Sequence, residues 1–236
     1  PIATMANKHL ARHIKDVRNL LGTKSFKQSD PTLLDNEINK LEDQWIIALE
    51  TDALKNIGKL TGLAAEQAGA QVGIDLDIQR PEIQKAIKDN TFKFAKKVSG
   101  TSSNQIKQVI RIGFERGDTL SKISKNVQQL GKQWTKTRAD TIARTESARS
   151  ANGGARLGYQ SSGVVQKLQY SAILDNVTSE ICQHLNGKIV GVQESFFEET
   201  EFVGPTGKRT DLSYDSGVPN PPAHPNCRST IIPIIE

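Results

Sequence analysis

Two cysteines stand in this chain of 236 residues, and each sits in a segment rich in groups that can bind metals or exchange protons. The first segment is Asp175-x6-Cys182-x-His184, and the second is Pro221-Pro222-Ala223-His224-Pro225-Asn226-Cys227-Arg228. Proline on both sides of His224 stiffens the backbone, so its ring and the Cys227 thiol are presented from a fixed loop. The residues of Thr178-Ser179-Glu180-Ile181-Cys182 predict a capped short helix. Residues two apart on a helix do not share a face, which makes His184 a poor co-ligand for Cys182. His224 and Cys227, three apart in a loop, can reach one point. Cys182, His224 and Cys227 supply three ligands where a structural zinc site needs four, and Asp175 is the candidate fourth. A Cys182–Cys227 disulfide would instead close a long loop and stabilise by roughly 4 kcal/mol in the chain-entropy model. Packed thiols, a disulfide and a metal site all remain open, and no metal or cofactor is expected on ligand count.

A second constellation is Arg144-Thr145-Glu146 on a predicted helix. Arg144 and Glu146 point to different faces there, so each needs a partner elsewhere, and Arg149 is within reach of Glu146 at i, i+3. The reading favoured is a polar seam between this helix and the mixed region that follows. A rival is a metal-dependent nuclease or toxin-like enzyme using Asp175, His184 and His224, which requires the two cysteine segments to converge. Glu199-Thr200-Glu201 matches the Glu-x-Glu of some ADP-ribosyl-transferring enzymes, but no glycine-rich nucleotide loop accompanies it. There is also no P-loop, Gly-x-Ser-x-Gly or His-Glu-x-x-His. His9 and His13 read as an incidental surface pair on a frayed N-terminal helix.

The elements that must position these groups follow from periodicity. Residues 1–100 read as helical, with Leu33, Leu34, Ile38, Leu41, Trp45, Ile46, Leu49, Leu54 and Ile57 on one stripe. Asp30-Pro31 reads as a helix start. A helix is expected over Pro81–Val98, and Ser99-Gly100-Thr101-Ser102-Ser103 as a turn-rich boundary. Helices then fit 104–158: Ser103–Gly113, Thr119–Leu130, and a long one from Trp134 to Leu157. From 164 to 236 short strand-like runs alternate with turn signals at Asn186-Gly187 and Gly204-Pro205-Thr206-Gly207. The proline in Thr230–Ile235 argues for an edge strand. The fold class is therefore α+β. A mainly helical region over 1–100 precedes a smaller mixed domain over 101–236 with a short, mostly antiparallel sheet.

The net charge of +5 is uneven. Residues 101–164 hold 11 basic and 4 acidic groups, and 165–236 hold 5 and 9. Arg111, Arg116, Lys122, Lys125, Lys132, Lys136 and Arg138 form a basic block suited to DNA phosphates or to an acidic protein surface. No apolar run approaches about 18 residues, so no membrane-spanning helix is expected. The opening Pro1 fits a fragment or a processed product, and two cysteines do not make a disulfide scaffold.

Four ordered motifs now combine. They are Arg138-Ala139-Asp140-x-Ile142-Ala143-Arg144-Thr145-Glu146, Ala151-Asn152-x-Gly154, Asp175-x6-Cys182-x2-Leu185-x-Gly187, and Pro221-Pro222-x-His224-Pro225-Asn226-Cys227-Arg228. Together, over about 104–234, they resemble the phage Mu protein F-like family, the minor head or head morphogenesis proteins of tailed bacteriophages. The resemblance implies a non-enzymatic virion component inside the capsid, present in the host cytoplasm during assembly. Its implied partners are the portal protein, the major capsid protein and, non-specifically, double-stranded DNA. Some relatives are fused behind a portal protein. This chain departs from a common family pattern of Cys-x-x-Cys and Cys-Arg-Cys. Ser179 and Ser229 stand at two of those four positions, which leaves His224 a larger share of any coordination.

Overall fold

The computed structural model describes residues 1–22, 31–134 and 137–235. Asp30 of the expected helix start and Lys136 of the basic block lie outside the described residues. Helix α1 (Ile2–Gly22) is followed by α2 (Pro31–Ala53), a π-helical turn at Leu54–Gly58, α3 (Lys59–Gln71) and α4 (Pro81–Glu115). Next come α5 (Leu120–Trp134), α6 (Thr137–Ser162) and β1 (Lys167–Ser171). The chain then forms α7 (Glu180–Leu185), β2 (Ile189–Gly191), β3 (Glu201–Val203), β4 (Arg209–Asp211) and β5 (Thr230–Ile234). The protein is α+β, with helices first and a small antiparallel sheet region after them. Among the described residues no helix is long and apolar enough to cross a membrane.

The chain divides into two compact units, and neither is continuous in sequence: Pro1–Lys55 with Asp89–Asp140, and Asn56–Lys88 with Thr141–Glu236. The first unit is helical. Leu34, Ile38, Trp45 and Leu49 form the buried stripe of α2, while Leu33 faces solvent. Phe94 and Ile106 of α4, with Ile123 and Val127 of α5, complete its core. Burying such side chains is worth roughly 1.5–3 kcal/mol each, which is what holds helices of ordinary propensity in place.

Two expectations fail in this unit, for related reasons. The turn-rich run Ser99–Ser103 is helix, so the two helices expected on either side of it are the single α4. Ser99, Ser102 and Ser103 are fully buried, and Ser102 Oγ donates to Val98 O at 2.8 Å. A Cβ on Gly100 would lie 3.3 Å from Glu42 Oε1. The small residues mark a close approach rather than a break. His9 and His13 are not a surface pair either, being 2% and 0% exposed on the inward stripe of α1. His9 Nε2 meets Asp52 Oδ2 at 3.0 Å. The His13 ring stacks on Trp45 with centroids 4.1 Å apart, and among the described residues neither of its nitrogens has a hydrogen-bond partner. Burial, followed by the nearby His9, lowers the His13 pKa from 6.5 to about 3.

In the second unit, Ala68 of α3 and Tyr159 of α6 share one apolar core with Leu168, Tyr170 and Ile231 of the small sheet. Strand β1 is central, with β2 and β5 antiparallel on its two sides. Leu168 and Tyr170 of β1 point inward, as the period-two alternation of a half-buried strand requires. Pro233 lies in the edge strand β5, opposite Leu168, where a missing N–H is tolerated. Strands β3 and β4 form a separate hairpin closed at Gly204–Gly207, where Gly207 N donates to Gly204 O at 2.9 Å. Phe196 and Phe197 belong to no strand beyond an isolated bridge between Phe197 and Val218. Phe196 is fully buried and packs edge-on to Tyr170 at 5.3 Å.

Candidate functional site

The two cysteine segments meet inside the second unit. Ser179 is the N-cap of α7: its backbone is extended and its hydroxyl accepts from Cys182 N at 3.4 Å. This cap sets the angle at which α7 enters and turns Ile181, Cys182 and Leu185 into the core. The opposing loop has a cis Pro221–Pro222 bond and then a tight turn, with Cys227 N donating to His224 O at 3.2 Å. Pro225 occupies the second turn position and Asn226, with φ +60, the third, which is the pattern of a type II turn. The turn brings His224 and Cys227 to the same side.

The result is a compact cluster. Cys182 Sγ lies 3.5 Å from Cys227 Sγ and 3.2 Å from His224 Nε2. Ser179 Oγ is 2.7 Å from the same Nε2. Because a carbonyl only accepts, His224 Nδ1–H must donate to Pro225 O at 2.8 Å, and in the neutral ring the Nε2 lone pair then faces the sulfurs. Behind them the buried Tyr170 hydroxyl stands 3.6 Å from Cys182 Sγ and 3.7 Å from Cys227 Sγ. Burial pushes Tyr170 far above the ordinary phenol range, so it remains a donor. Cys227 is the acidic thiol of the pair, held down by hydrogen bonds from Cys182 first, then His224 and Ser229. Cys182 is raised, by its bond to Cys227 and then by burial. His224 is raised above its usual range, chiefly by the Cys227 sulfur. The cysteines are both buried and unbridged. A cavity of about 30 Å3 opens on them, comparable to the share of one water molecule in the liquid.

Asp175 does not join the cluster as a fourth ligand. Both of its oxygens accept from Arg228 Nη2, at 2.8 and 2.7 Å, and Oδ1 also takes Thr178 Oγ1 and Val177 N. The Arg228 bond first, then Thr178, holds its carboxyl below the usual range. His184 points elsewhere, against the Phe202 and Phe197 rings at 5.2 and 6.1 Å. The constellation Asp175, His184 and His224 is therefore not assembled: among the described residues the liganding group is Cys182, His224 and Cys227 alone.

Helix α6 supports the cysteine loop from below. Thr145 Oγ1 donates to Thr141 O at 2.7 Å and accepts from Asn226 N at 3.0 Å, so one hydroxyl ties the turn to the helix. Glu146 is buried and its carboxyl raised by desolvation, against the opposing pull of Arg149, which donates through Nε at 3.4 Å. Arg149 also pairs with Asp215 and lies 4.3 Å over the Tyr214 ring. Arg144 is exposed on the opposite side of the helix.

Other residues were given no role by their types alone. Asn152 Oδ1 accepts from Ile231 N and Thr230 Oγ1, and its Nδ2 donates to Ser229 O, fixing the start of β5. Arg156 donates to the backbone oxygens of Pro219 and Glu194. A Cβ on Gly154 would sit 2.2 Å from Thr61 O, and one on Gly158 2.4 Å from Ala65 O. The available signal was Gly154-x3-Gly158 facing the small residues of 61–69, one close-packed seam at helical spacing.

The basic block is less uniform than its charge suggests. Arg111, Arg116, Lys122, Lys125 and Lys132 are exposed, although Lys122 pairs with Asp118 at 2.5 Å. Arg138 is committed to the first unit. It donates to Gln105 and Ser102 at 3.0 and 3.1 Å and lies 4.5 Å over Trp134, and burial lowers its pKa to about 10.

Comparison with protein families matches the chain over residues 104–232 to the family described as Phage Mu protein F like protein. That span covers more than half of the chain and all of the cysteine cluster and its α6 support. No curated protein and no solved structure matches the chain at a significant level.

Proposed function

Because the chain belongs to the phage Mu protein F-like family, a family of phage head proteins, we propose that it is a minor head protein acting in head morphogenesis. The observation that carries this reading is the family match over the residues that build the cysteine closure and its helix. Family membership supports contact with other head proteins; the portal and the inner face of the major capsid shell are the partners proposed here. Its place is the capsid interior, with a passage through the host cytoplasm during assembly. The protein acts by binding rather than by catalysis. A cavity of about 30 Å3 leaves no room for a nucleic-acid substrate, and Asp175 and His184 are engaged away from His224.

The exposed Arg111, Arg116, Lys125 and Lys132 form the contact for packaged DNA or for an acidic partner surface. DNA binding of this kind is sequence-independent and falls steeply with salt. Quantitative mass spectrometry of purified particles tests the assignment. A few copies per particle are expected, together with portal crosslinks, and particles that assemble and package normally without the protein contradict it. Incubation of the chain with plasmid and magnesium, manganese or zinc should leave the DNA intact. Cleavage abolished by His224→Ala would establish the nuclease instead.

A further inference from the structure

We propose that Cys182 Sγ, Cys227 Sγ and His224 Nε2 bind a zinc ion, with the fourth position taken by the Ser179 hydroxyl or by water. This departs from the sequence expectation of no metal, and four features carry it.

The first is spacing. Zinc bonds of about 2.3 Å to sulfur and about 2.05 Å to nitrogen give tetrahedral edges of about 3.8 Å between sulfurs and about 3.6 Å between sulfur and nitrogen. The observed separations are 3.5 and 3.2 Å, and all three ligand atoms lie within 4.8 Å of one another. A small outward adjustment admits the ion, whereas a disulfide needs the sulfurs to close to about 2.05 Å.

The second feature is orientation. A zinc-binding histidine usually has its other nitrogen fixed by a backbone carbonyl or carboxylate, which sets the tautomer and aims the lone pair. Pro225 O does this for Nδ1 at 2.8 Å, and the turn that holds Pro225 is tied to α6 through Thr145.

Charge balance is the third. Both thiols lose their protons to solvent on binding, and two thiolates with one divalent cation and a neutral imidazole sum to zero. A neutral site suits residues 3% and 5% exposed, where an uncompensated thiolate pair is costly. The Tyr170 hydroxyl, equidistant from both sulfurs, donates to either thiolate and supplies the outer shell.

Fourth, the cavity matches in size and lining. Its volume of about 30 Å3, lined by Ser179, Cys182, His224, Cys227 and Ser229 among others, suits one small ion but no organic ligand. The soft donor pair selects zinc over magnesium or calcium, which prefer all-oxygen shells.

The test uses the full chain purified under reducing conditions without chelator. Elemental analysis should give one zinc per chain. The metal-free protein loaded with cobalt should show a thiolate-to-cobalt charge-transfer band and the strong visible bands of tetrahedral cobalt. His224→Ala should weaken zinc affinity by roughly 100-fold or more, since losing a ligand costs at least what losing an outer-shell partner does. Cys227→Ser should abolish the charge-transfer intensity of one thiolate. Ser179→Cys guards against misfolded variants: a third thiolate should strengthen the cobalt band and slow zinc loss to a chelator. Two freely titratable thiols with no retained zinc and no cobalt band overturn the proposal. So does an intact mass two hydrogens lighter, which reports a Cys182–Cys227 disulfide, or zinc that stays bound equally well in His224→Ala.

Discussion

The helical unit and the mixed unit are stabilised in different ways. The first is held by a broad apolar interior, with Trp45, Phe94, Leu34, Ile38 and Ile106 among its buried residues. The second also has an apolar core, with Leu168, Tyr170, Phe196, Ile181 and Leu185 buried in it, but its strands and α7 are short, and a few placed groups add to their closure: the Asn152 clip, the Thr145–Asn226 bond, the Gly154 contact and the cysteine cluster. Energy spread over many side chains responds to substitution differently from energy concentrated in one contact. Core energy is lost in proportion to the buried volume that a substitution removes. A placed contact is lost whole when one of its two partners is replaced.

Trp45→Ala should produce the largest effect. It removes a fully buried ring, its stack on His13 and its 2.9 Å bond to Asp16, and should cost about 3–5 kcal/mol in denaturant unfolding. In the mixed unit, Gly154→Leu pushes a side chain into the Thr61 carbonyl, which cannot retreat without moving α3, for a loss of roughly 1–3 kcal/mol. Its neighbour is the control. Gly153 has nothing within 4 Å of a would-be Cβ, so Gly153→Ala should hold or raise the melting temperature. Equal effects at 153 and 154 would erase the contrast drawn between a placed contact and an ordinary helix position.

Acid should destabilise the helical unit through His13. Folded His13 stays neutral down to about 3, while in the unfolded chain it titrates at 6.5. Between those values the unfolded state binds a proton that the folded state refuses, so stability falls as pH falls, by up to about 1.4 kcal/mol per pH unit. At pH 5 the loss is about 2 kcal/mol from this group. His13→Phe keeps a ring against Trp45 and should flatten that slope, read by urea unfolding at pH 5 and pH 7. The smallest effect is expected from Arg228→Ala. It breaks an exposed pair with Asp175 and should leave thermal unfolding unchanged, because solvent screens such contacts.

What the sequence disclosed divides along the same line. Helical period marked the α2 stripe, because burial there is a property of many residues at once. The meeting of Cys182 with His224 and Cys227 was legible from a stiff proline loop and a capped short helix. Asp175 misled because its nearness in sequence says nothing about Arg228, which lies in the partner motif and claims both carboxylate oxygens. Ser99–Ser103 misled because small residues favour turns and close packing alike, and only the neighbouring Glu42 and the α4 backbone distinguish them. Asn152 was visible as part of a motif, but its role depends on β5, which pairs with it across 79 positions.

The central claim is that two motifs distant in sequence form one closure. Oxidative crosslinking tests it most directly. The native chain, reduced and freed of metal, is treated with diamide, and its peptides are mapped by mass spectrometry. With the sulfurs 3.5 Å apart, an intramolecular Cys182–Cys227 disulfide should form rapidly and nearly completely under conditions where the fold persists. Thiols that remain separately alkylatable, or that link only between chains, would show that the two segments do not meet.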